Sequence, residues 1–556
     1  MKRKAVWALT LATALLFSAG LTPQRGTEVR AEDQPAIELN EPGTYPIAKE
    51  KVEMTMMRLA MPNVVDYETN DFSKFIEELT GVHWKIQTVS MDNADTQVNL
   101  AMSSGELPNV FLFSTPSVSR YGVKEQQLMQ LDDLIEPNMP NFMAYLKENP
   151  SLKERITQTD GHIYALPAIN QCYHCSFRDK MWVNTKHLEE LGKEMPQTID
   201  ELFDVLKAYK EKHPEGVGIA GSIDGWGQQF TNWLTNPFIL DPGSYNGKLV
   251  VGDDHKIFSI AQQEAYRDAL RLMRKLYVEG YLYEGALTQN HEAYRTMMNE
   301  PGEPVLFAPY GTISDAYDAT SSPEAYAAYR VTLPLKGPKG QQIATHYKHD
   351  GVQEAAFVLS ENCPYPEVAL RFADYFYTLK GYLSMQFGPD EGKDWTLDVG
   401  DAKGLDGGKA LYKILNPYSS DPQNHDWQDV GLNFATAATR MGQAVEGEVD
   451  FSKPEALESL LATETREKCE PYAQPEEGPD LLPALHVTAD ESDELKLIVE
   501  EVNNYIESKR TEFITGVADI EDDAAWQAYL DGFAGVGMDQ LIQIMQTAYE
   551  RQMGAK

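Results

Sequence analysis

The sequence predicts an α/β fold, and three observations carry that reading. Strand and helix signals alternate between residues 50 and 115. Residues 107–113, Leu-Pro-Asn-Val-Phe-Leu-Phe, form a nearly continuous apolar strand, as expected where both faces of a parallel sheet are covered. Helices of the middle third carry their apolar residues at helical spacing.

Taken in order, residues 34–50 read as an extended, proline-containing linker. Residues 52–60 read as a strand ending in the loop Met61-Pro62-Asn63. Phe72, Phe75, Ile76 and Leu79 mark an amphipathic helix stopped by Gly81. A second strand at 84–89 and a helix at 95–102, ended by Ser103-Ser104-Gly105, lead into the 107–113 strand. Two short apolar strands, 163–166 and 181–183, then flank a loop rich in polar and aromatic residues. Thr198 and Glu201 form a T-x-x-E capping box, in which each side chain satisfies a free backbone N–H of the first turn. Ile199, Leu202, Phe203, Leu206 and Tyr209 share one face of the helix that follows. A hairpin is expected over 248–258. Ser259 is placed to cap a helix whose buried stripe runs Tyr266, Ala269, Leu270, Met273, Leu276 and Tyr277, with Gly280 ending it. Strand signals at 304–309, 329–333 and 351–359 come next. Pro366 then starts a helix striped with Val368, Leu370, Phe372, Tyr375 and Phe376. The C-terminal part reads as helical and acidic.

Four sequence words stand close together: G-x-x-Y-A-L-P from Gly161, W-x-N from Trp182, L-x-x-L-G from Leu188 and P-x-T-x-x-E-L from Pro196. Tyr266 to Leu270 (Y-R-D-A-L), Leu276 to Leu282 (L-Y-x-E-G-Y-L) and Phe513-Ile514-Thr515-Gly516 add to them. In this order they resemble the family 1 extracellular solute-binding proteins, the carbohydrate-binding subunits of ABC importers, in a long Gram-positive-type subfamily. The resemblance spans essentially the whole chain after the N-terminal segment. It implies a two-lobed periplasmic-binding-protein fold, type II-like, with an inter-lobe ligand cleft and a helical C-terminal part. The implied division is 51–166 with 352–400 for the first lobe, and 167–351 with 401–556 for the second. Crossings between lobes are expected near 167–181 and 349–352, with a third between 394 and 417.

Lys2, Arg3 and Lys4 precede an apolar run over 5–17, the pattern of a signal peptide covering 1–31. Val29-Arg30-Ala31 offers one cleavage site and Ser18-Ala19-Gly20 another. No cysteine follows the apolar run, where Leu21 stands, so anchoring through a lipobox cysteine is not expected. The protein is expected outside the cell or in a periplasm, free or held by an uncleaved signal.

Lys and Arg total 48 against 85 Asp and Glu, a net charge of −37, which repels nucleic acid and anionic lipid and favours neutral over highly anionic sugars. Four cysteines, Cys172, Cys175, Cys363 and Cys469, are no disulfide framework for a chain of 556 residues. The Cys172-Tyr173-His174-Cys175 run reads as a local disulfide or plain thiols, with a zinc site and a redox pair as the sharper alternatives.

Motifs for metal-dependent proteolysis, a nucleophile elbow, a P-loop and an EF-hand loop are missing from the sequence. No catalytic residue, cofactor or metal is therefore expected. A surplus of loop aromatics remains, set beside Gly, Pro, Asn or Asp: Tyr67, Tyr173, Trp226, Trp233, Tyr310, Trp395 and Trp427. Sugar rings pack their C–H faces on aromatic planes, while their hydroxyls take polar partners at the edges. Tyr310, after the apolar strand Val305-Leu306, is the leading aromatic, because the resembling family places one in the cleft there. Asn63, Asp66 and Tyr67 follow the first strand, and Ser114 and Thr115 the third, where open α/β sheets bind ligands. Asn170 lies in the crossing loop, and His349 with Asp350 forms a polar cluster, beside His346, at the second crossing. The expected partners are an oligosaccharide and the permease subunits of an ABC importer, with the protein acting as a monomer. The competing readings are a secreted glycan-active enzyme (glycoside hydrolase or polysaccharide lyase) and a sensory sugar-binding subunit.

Overall fold

A computed structural model describes residues 37–554, apart from 244–245, 303, 349–350, 420, 446, 448 and 486. The expected signal peptide at 1–31 lies outside the described residues.

The chain opens with β1 (Val52–Leu59), α1 (Asp71–Thr80), β2 (Val82–Val89), α2 (Ala94–Ser104) and β3 (Val110–Leu112). Asn70 begins α1 by accepting from the Phe72 N–H at 3.0 Å, and Gly81 ends it in the left-handed region at φ 74°. Next come β4 (Ala165–Asn170), β5 (Met181–Asn184), α3 (Thr185–Leu191) and α4 (Ile199–Lys212). The Thr198–Glu201 capping box forms as the sequence indicates. The order closes with α5 (Glu264–Val278), β6 (Phe307–Pro309), β7 (Tyr329–Val331), β8 (Val352–Leu359), α6 (Pro366–Phe376), β9 (Phe434–Ala435), α7 (Ala489–Thr515) and α8 (Met538–Met553). No helix among the described residues is long and apolar enough to cross a membrane.

The main sheet has the order β9-β4-β8-β3-β1-β2. It is mixed rather than all parallel, because β8 runs antiparallel to both β3 and β4. The other five strands point one way, so the carboxyl ends of β1, β3, β4 and β9 meet the amino end of β8 along one edge. A smaller antiparallel sheet, β6-β5-β7, forms elsewhere in the chain.

Two large hydrophobic cores follow from this topology. The first packs β1, β3, β4 and β8 against Phe72, Ile76, Phe372 and Phe376. The second gathers α4, α5, α7 and α8 around Val183 and Phe307. A third cluster fills the other face of the small sheet, with Trp182, Tyr294, Tyr310 and Tyr329. The chain passes from the first core to the second through 171–180, and Val352 opens β8 back in the main sheet.

Two expectations change here. Residues 37–50 do not run out as an extended linker: Leu39 bridges Ala48, and the apolar Ile47 and Ala48 bury themselves in the first core. Residues 423–435, expected in the second lobe, return instead to the main sheet. Trp427, Val430 and Leu432 join the first core, and β9 pairs with β4. The chain leaves that sheet only after Ala435.

Candidate functional site

Most of the loop aromatics turn out to be packing residues. Trp427 is 0 % exposed and donates its indole N–H to Ser73 Oγ at 2.7 Å. Tyr67 is buried beside it, and the Arg58 guanidinium stacks between the two rings, 3.8 Å from Tyr67 and 4.1 Å from Trp427. A buried cation held between two aromatic faces explains both rings without any ligand. Tyr310, also 0 % exposed, stacks on Tyr294 at 4.7 Å, and its carbonyl accepts from the Trp182 indole at 2.8 Å. It is a core residue of the third cluster, not the cleft aromatic expected. Trp233 stacks on Phe307 in the second core at 5.8 Å. Trp395 is buried in a small cluster with Tyr382, Phe387 and Tyr412. Neighbouring Asp and Asn, and Pro309 with Gly311 at Tyr310, made these rings look loop-borne, yet all five are buried.

Trp226 and Tyr173 differ, since both remain half-exposed. The Trp226 ring lies so tightly on Gly311 that a Cβ there would sit 1.9 Å from Cε3. His174 meets the ring edge-on at 6.0 Å, and the Lys180 ammonium stands 5.9 Å from its centroid. Trp226 is thus a rigid plane with part of its surface open. Tyr173 donates its hydroxyl to Glu470 at 2.7 Å, close to the loop that leaves β4.

The polar residues after the strands divide by role. Asn63 is buried and donates to Gln428 Oε1 at 2.9 Å and to the Ser419 carbonyl at 3.1 Å, so it positions the 416–430 segment. Asp66 is exposed and closes a local turn by accepting from the Glu68 N–H and the Thr69 hydroxyl. Ser114 is buried; Thr115 donates to the Ala355 carbonyl at 2.9 Å. Asn170, at the end of β4, is half-buried, and its Oδ1 is a buried acceptor with no partner among the described residues. Such an orphan costs about 1–3 kcal/mol unless something donates to it. His349 and Asp350 lie outside the described residues.

Further side chains gather where the two halves of the chain face each other, and no sequence signal marked them. Asp315 follows β6, whereas Tyr418, Asp429 and Arg440 come from the segments around β9; all four keep solvent access. Burial pushes the Asp315 carboxyl up to about 7, the Asp429 charge adds to this, and Arg295 and His291 oppose it. Burial also raises Asp429, against the pull of Arg440 and of Gln386, whose amide donates to it at 3.1 Å. The Tyr418 hydroxyl is held well above its usual value, first by burial and then by Asp429, Asp315 and Asp426. These mutual effects place the four groups in one electrostatic neighbourhood. A physical link crosses the same region: Ser419 donates to Asp318 at 2.8 Å, while its carbonyl accepts from Asn63. Phe113, half-exposed at the end of β3, sits at φ 64°, a strained conformation for a non-glycine residue and a common mark of a ligand-facing loop.

The Cys172–Cys175 disulfide forms in the loop after β4, and Cys363 and Cys469 are free and buried. With both sulfurs bonded, the zinc alternative loses its thiolates. The Arg440 guanidinium, 3.1 Å from Cys172 Sγ and 3.4 Å from His174 Nε2, would also repel a cation there. A separate open groove of about 890 Å³, with Asp398, Lys403, Leu405 and Arg466 in its wall, has no aromatic among its lining residues.

Comparison with known proteins follows the same line as this geometry. Residues 64–383 match the family described as bacterial extracellular solute-binding protein. The fructooligosaccharide ABC transporter substrate-binding protein FusA of Streptococcus pneumoniae serotype 4 is 26 % identical over 545 residues, covering 92 % of this chain and 93 % of its own. The solved S. pneumoniae FusA in complex with kestose superposes with a TM-score of 0.74 at 23 % identity, over 91 % of this chain and all of that one. An HMO binding, ABC-transporter associated solute binding protein from Bifidobacterium longum infantis gives 0.67 at 17 % identity, over 90 % of this chain and 99 % of that one. The fold is that of these two-lobed binding proteins.

Proposed function

This chain belongs to the family of bacterial extracellular solute-binding proteins, and we propose that it captures a neutral oligosaccharide between its two lobes and delivers it to an ABC-type importer. The observation that carries this reading is Trp226: a half-open aromatic plane, braced on Gly311, with His174 at its edge and Arg440 next to that histidine. An aromatic plane suits the C–H face of a sugar, and Asn170, Asp315, Tyr418 and Asp429 suit its hydroxyls. The near relative named for fructooligosaccharide transport, alike over almost its full length, sets fructooligosaccharides first among ligands to try.

In this reading the first lobe is built on the main sheet, including 423–435, and the second on the remaining cores. The connections between them, 171–180, the approach to β8 at Val352 and the stretch after Ala435, act as hinges that absorb backbone rotation while each packed core stays rigid. Closure would bury the ligand and present a composite surface to the permease. The protein acts outside the membrane as a monomer and breaks no bond.

A thermal-shift and calorimetric screen of neutral oligosaccharides, kestose included, tests the proposal. A true ligand at a hundred times its Kd stabilises the folded chain by about 2.7 kcal/mol. Failure of every neutral oligosaccharide to bind, or cleavage of the best binder at enzymatic rates, would overturn it.

A further inference from the structure

Away from the cleft, α3 and the end of α4 bring together a set of side chains that the binding of sugars does not use. His187 and Glu190 lie three residues apart on α3 and therefore project from the same face of the helix. His213, the C-cap residue of α4, packs against them. The His187 Nδ1 is 3.0 Å from Glu190 Oε2, and the His213 Nε2 is 3.2 Å from the same oxygen. All three donor atoms lie within 4.8 Å of one another.

We propose that His187, Glu190 and His213 form a binding site for one divalent transition-metal ion, of which zinc fits the donor set best. Two imidazoles and one carboxylate are the donors zinc takes at about 2.0–2.2 Å, and tetrahedral bonds of that length separate donors by about 3.3 Å. The separations of Glu190 Oε2 from the two imidazoles, 3.0 and 3.2 Å, already have about that size. Only the His187–His213 pair must draw in, a movement within reach of small side-chain rotations.

The supports around the three donors are rigid. Asn184 caps α3 by accepting from the His187 N–H, Gly192 ends the helix at φ 62°, and the His213 N–H donates to the Tyr209 carbonyl at 2.7 Å. The Tyr209 ring packs against both imidazoles, 5.3 Å from His187 and 5.0 Å from His213. Both histidines are buried, whereas Glu190 is open to solvent, which supplies an entry path and a fourth position for water. Lys212 holds the other carboxylate oxygen, Oε1, at 2.8 Å and so leaves Oε2 for the ion while fixing the carboxylate's orientation. A bound ion would tie α3 to the end of α4 across the intervening loop and stiffen the second lobe.

The same distances fit two hydrogen bonds to one carboxylate oxygen with no metal, and experiment separates the two. Zinc alone is titrated calorimetrically into the untagged, chelator-treated full chain, and Glu190→Gln, His213→Ala and Lys212→Ala are compared with it. Loss of a mere supporting partner costs roughly 10–100-fold in metal affinity, so loss of a ligand is expected to cost about 100-fold or more. The expected result is one equivalent bound at micromolar or tighter affinity, with that loss in Glu190→Gln and His213→Ala and a smaller loss in Lys212→Ala, whose side chain only supports the carboxylate. Glu190→Gln changes a solvent-exposed side chain by one atom, so misfolding does not cloud its outcome. Absence of saturable one-equivalent binding, or binding unchanged in both ligand variants, overturns the proposal.

Discussion

Replacing Asp315 by Asn tests the electrostatic description of the cleft most directly. The Asp315 carboxyl is pushed from its ordinary 3.8 to about 7. A folded-state pKa above the unfolded one means that the folded chain binds the proton more tightly. Stability contributed by that proton is complete below about pH 4 and is lost as the pH rises towards 7. Three units at 1.36 kcal/mol each set a ceiling of about 4 kcal/mol, and solvent access at Asp315 reduces this to about 1–2 kcal/mol. Asn keeps the shape and stays neutral, so it avoids the loss. The variant should match the parent near pH 4 and exceed it by about 1–2 kcal/mol at pH 8. Thermal unfolding of both ligand-free proteins across pH 4 to 8 measures the gap. Asp426 and Glu464, raised to about 7, and Asp374, raised to about 6, tilt both profiles alike, so the difference isolates Asp315. Parallel profiles, or a variant less stable at pH 8, would refute the reasoning.

Trp226→Ala should weaken binding of the best oligosaccharide by roughly 1–3 kcal/mol, by analogy with base stacking on aromatic side chains, while the ligand-free Tm stays near the parent's; calorimetry and thermal unfolding read the two halves. Trp427→Ala should do the reverse, costing about 3–5 kcal/mol of stability in a chemical-denaturation curve, since it empties the first core. Asn170→Ala removes an acceptor that no described residue satisfies, so affinity should fall by about 1 kcal/mol with stability unchanged or improved; equal loss in both would assign Asn170 to the fold alone. Ligand should lower the radius of gyration in solution scattering, and an unchanged value would speak for a preformed pocket over hinge closure.

The strands and capped helices were legible because each is fixed by its own neighbours: the Thr198–Glu201 box, Gly81 at the end of α1, and the apolar run that became β3. What sequence could not supply was the partner of a side chain distant in the chain. Trp427 and Tyr67 look like cleft aromatics until Arg58 is found between them. Arg58 lies on β1, more than 360 residues from Trp427. The same limit hid Asp315, Tyr418, Asp429 and Arg440, which carry no local motif and matter only because separate segments converge. It also hid the return of 423–435 to the main sheet, since a two-residue strand such as β9 leaves no periodicity to read. Trp226, the aromatic plane of the proposed site, stays half-exposed between Gly225 and Gly227, with Gly311 beneath its ring.

The charge of the cleft bears on ligand choice in a way the net charge alone does not. A surface of −37 discourages polyanions at a distance, but the local groups decide what is accepted on contact. The Asp315 carboxyl, pushed up to about 7 by burial, holds its proton further towards neutral pH than a free carboxyl does. A protonated carboxyl donates one hydrogen bond and accepts others, as a sugar hydroxyl does, without the desolvation cost of a fixed charge. The cations nearby are engaged: Glu458, Tyr382 and Tyr412 act on Arg440, which braces the Cys172–Cys175 loop, Lys180 donates to the His174 and Phe177 carbonyls, and Arg295 acts on Asp315. A uronate-rich ligand would therefore meet acids in its path and cations already committed. A neutral polyhydroxyl chain meets donors and acceptors beside an aromatic plane, and that match, more than the sign of the surface, is what favours it.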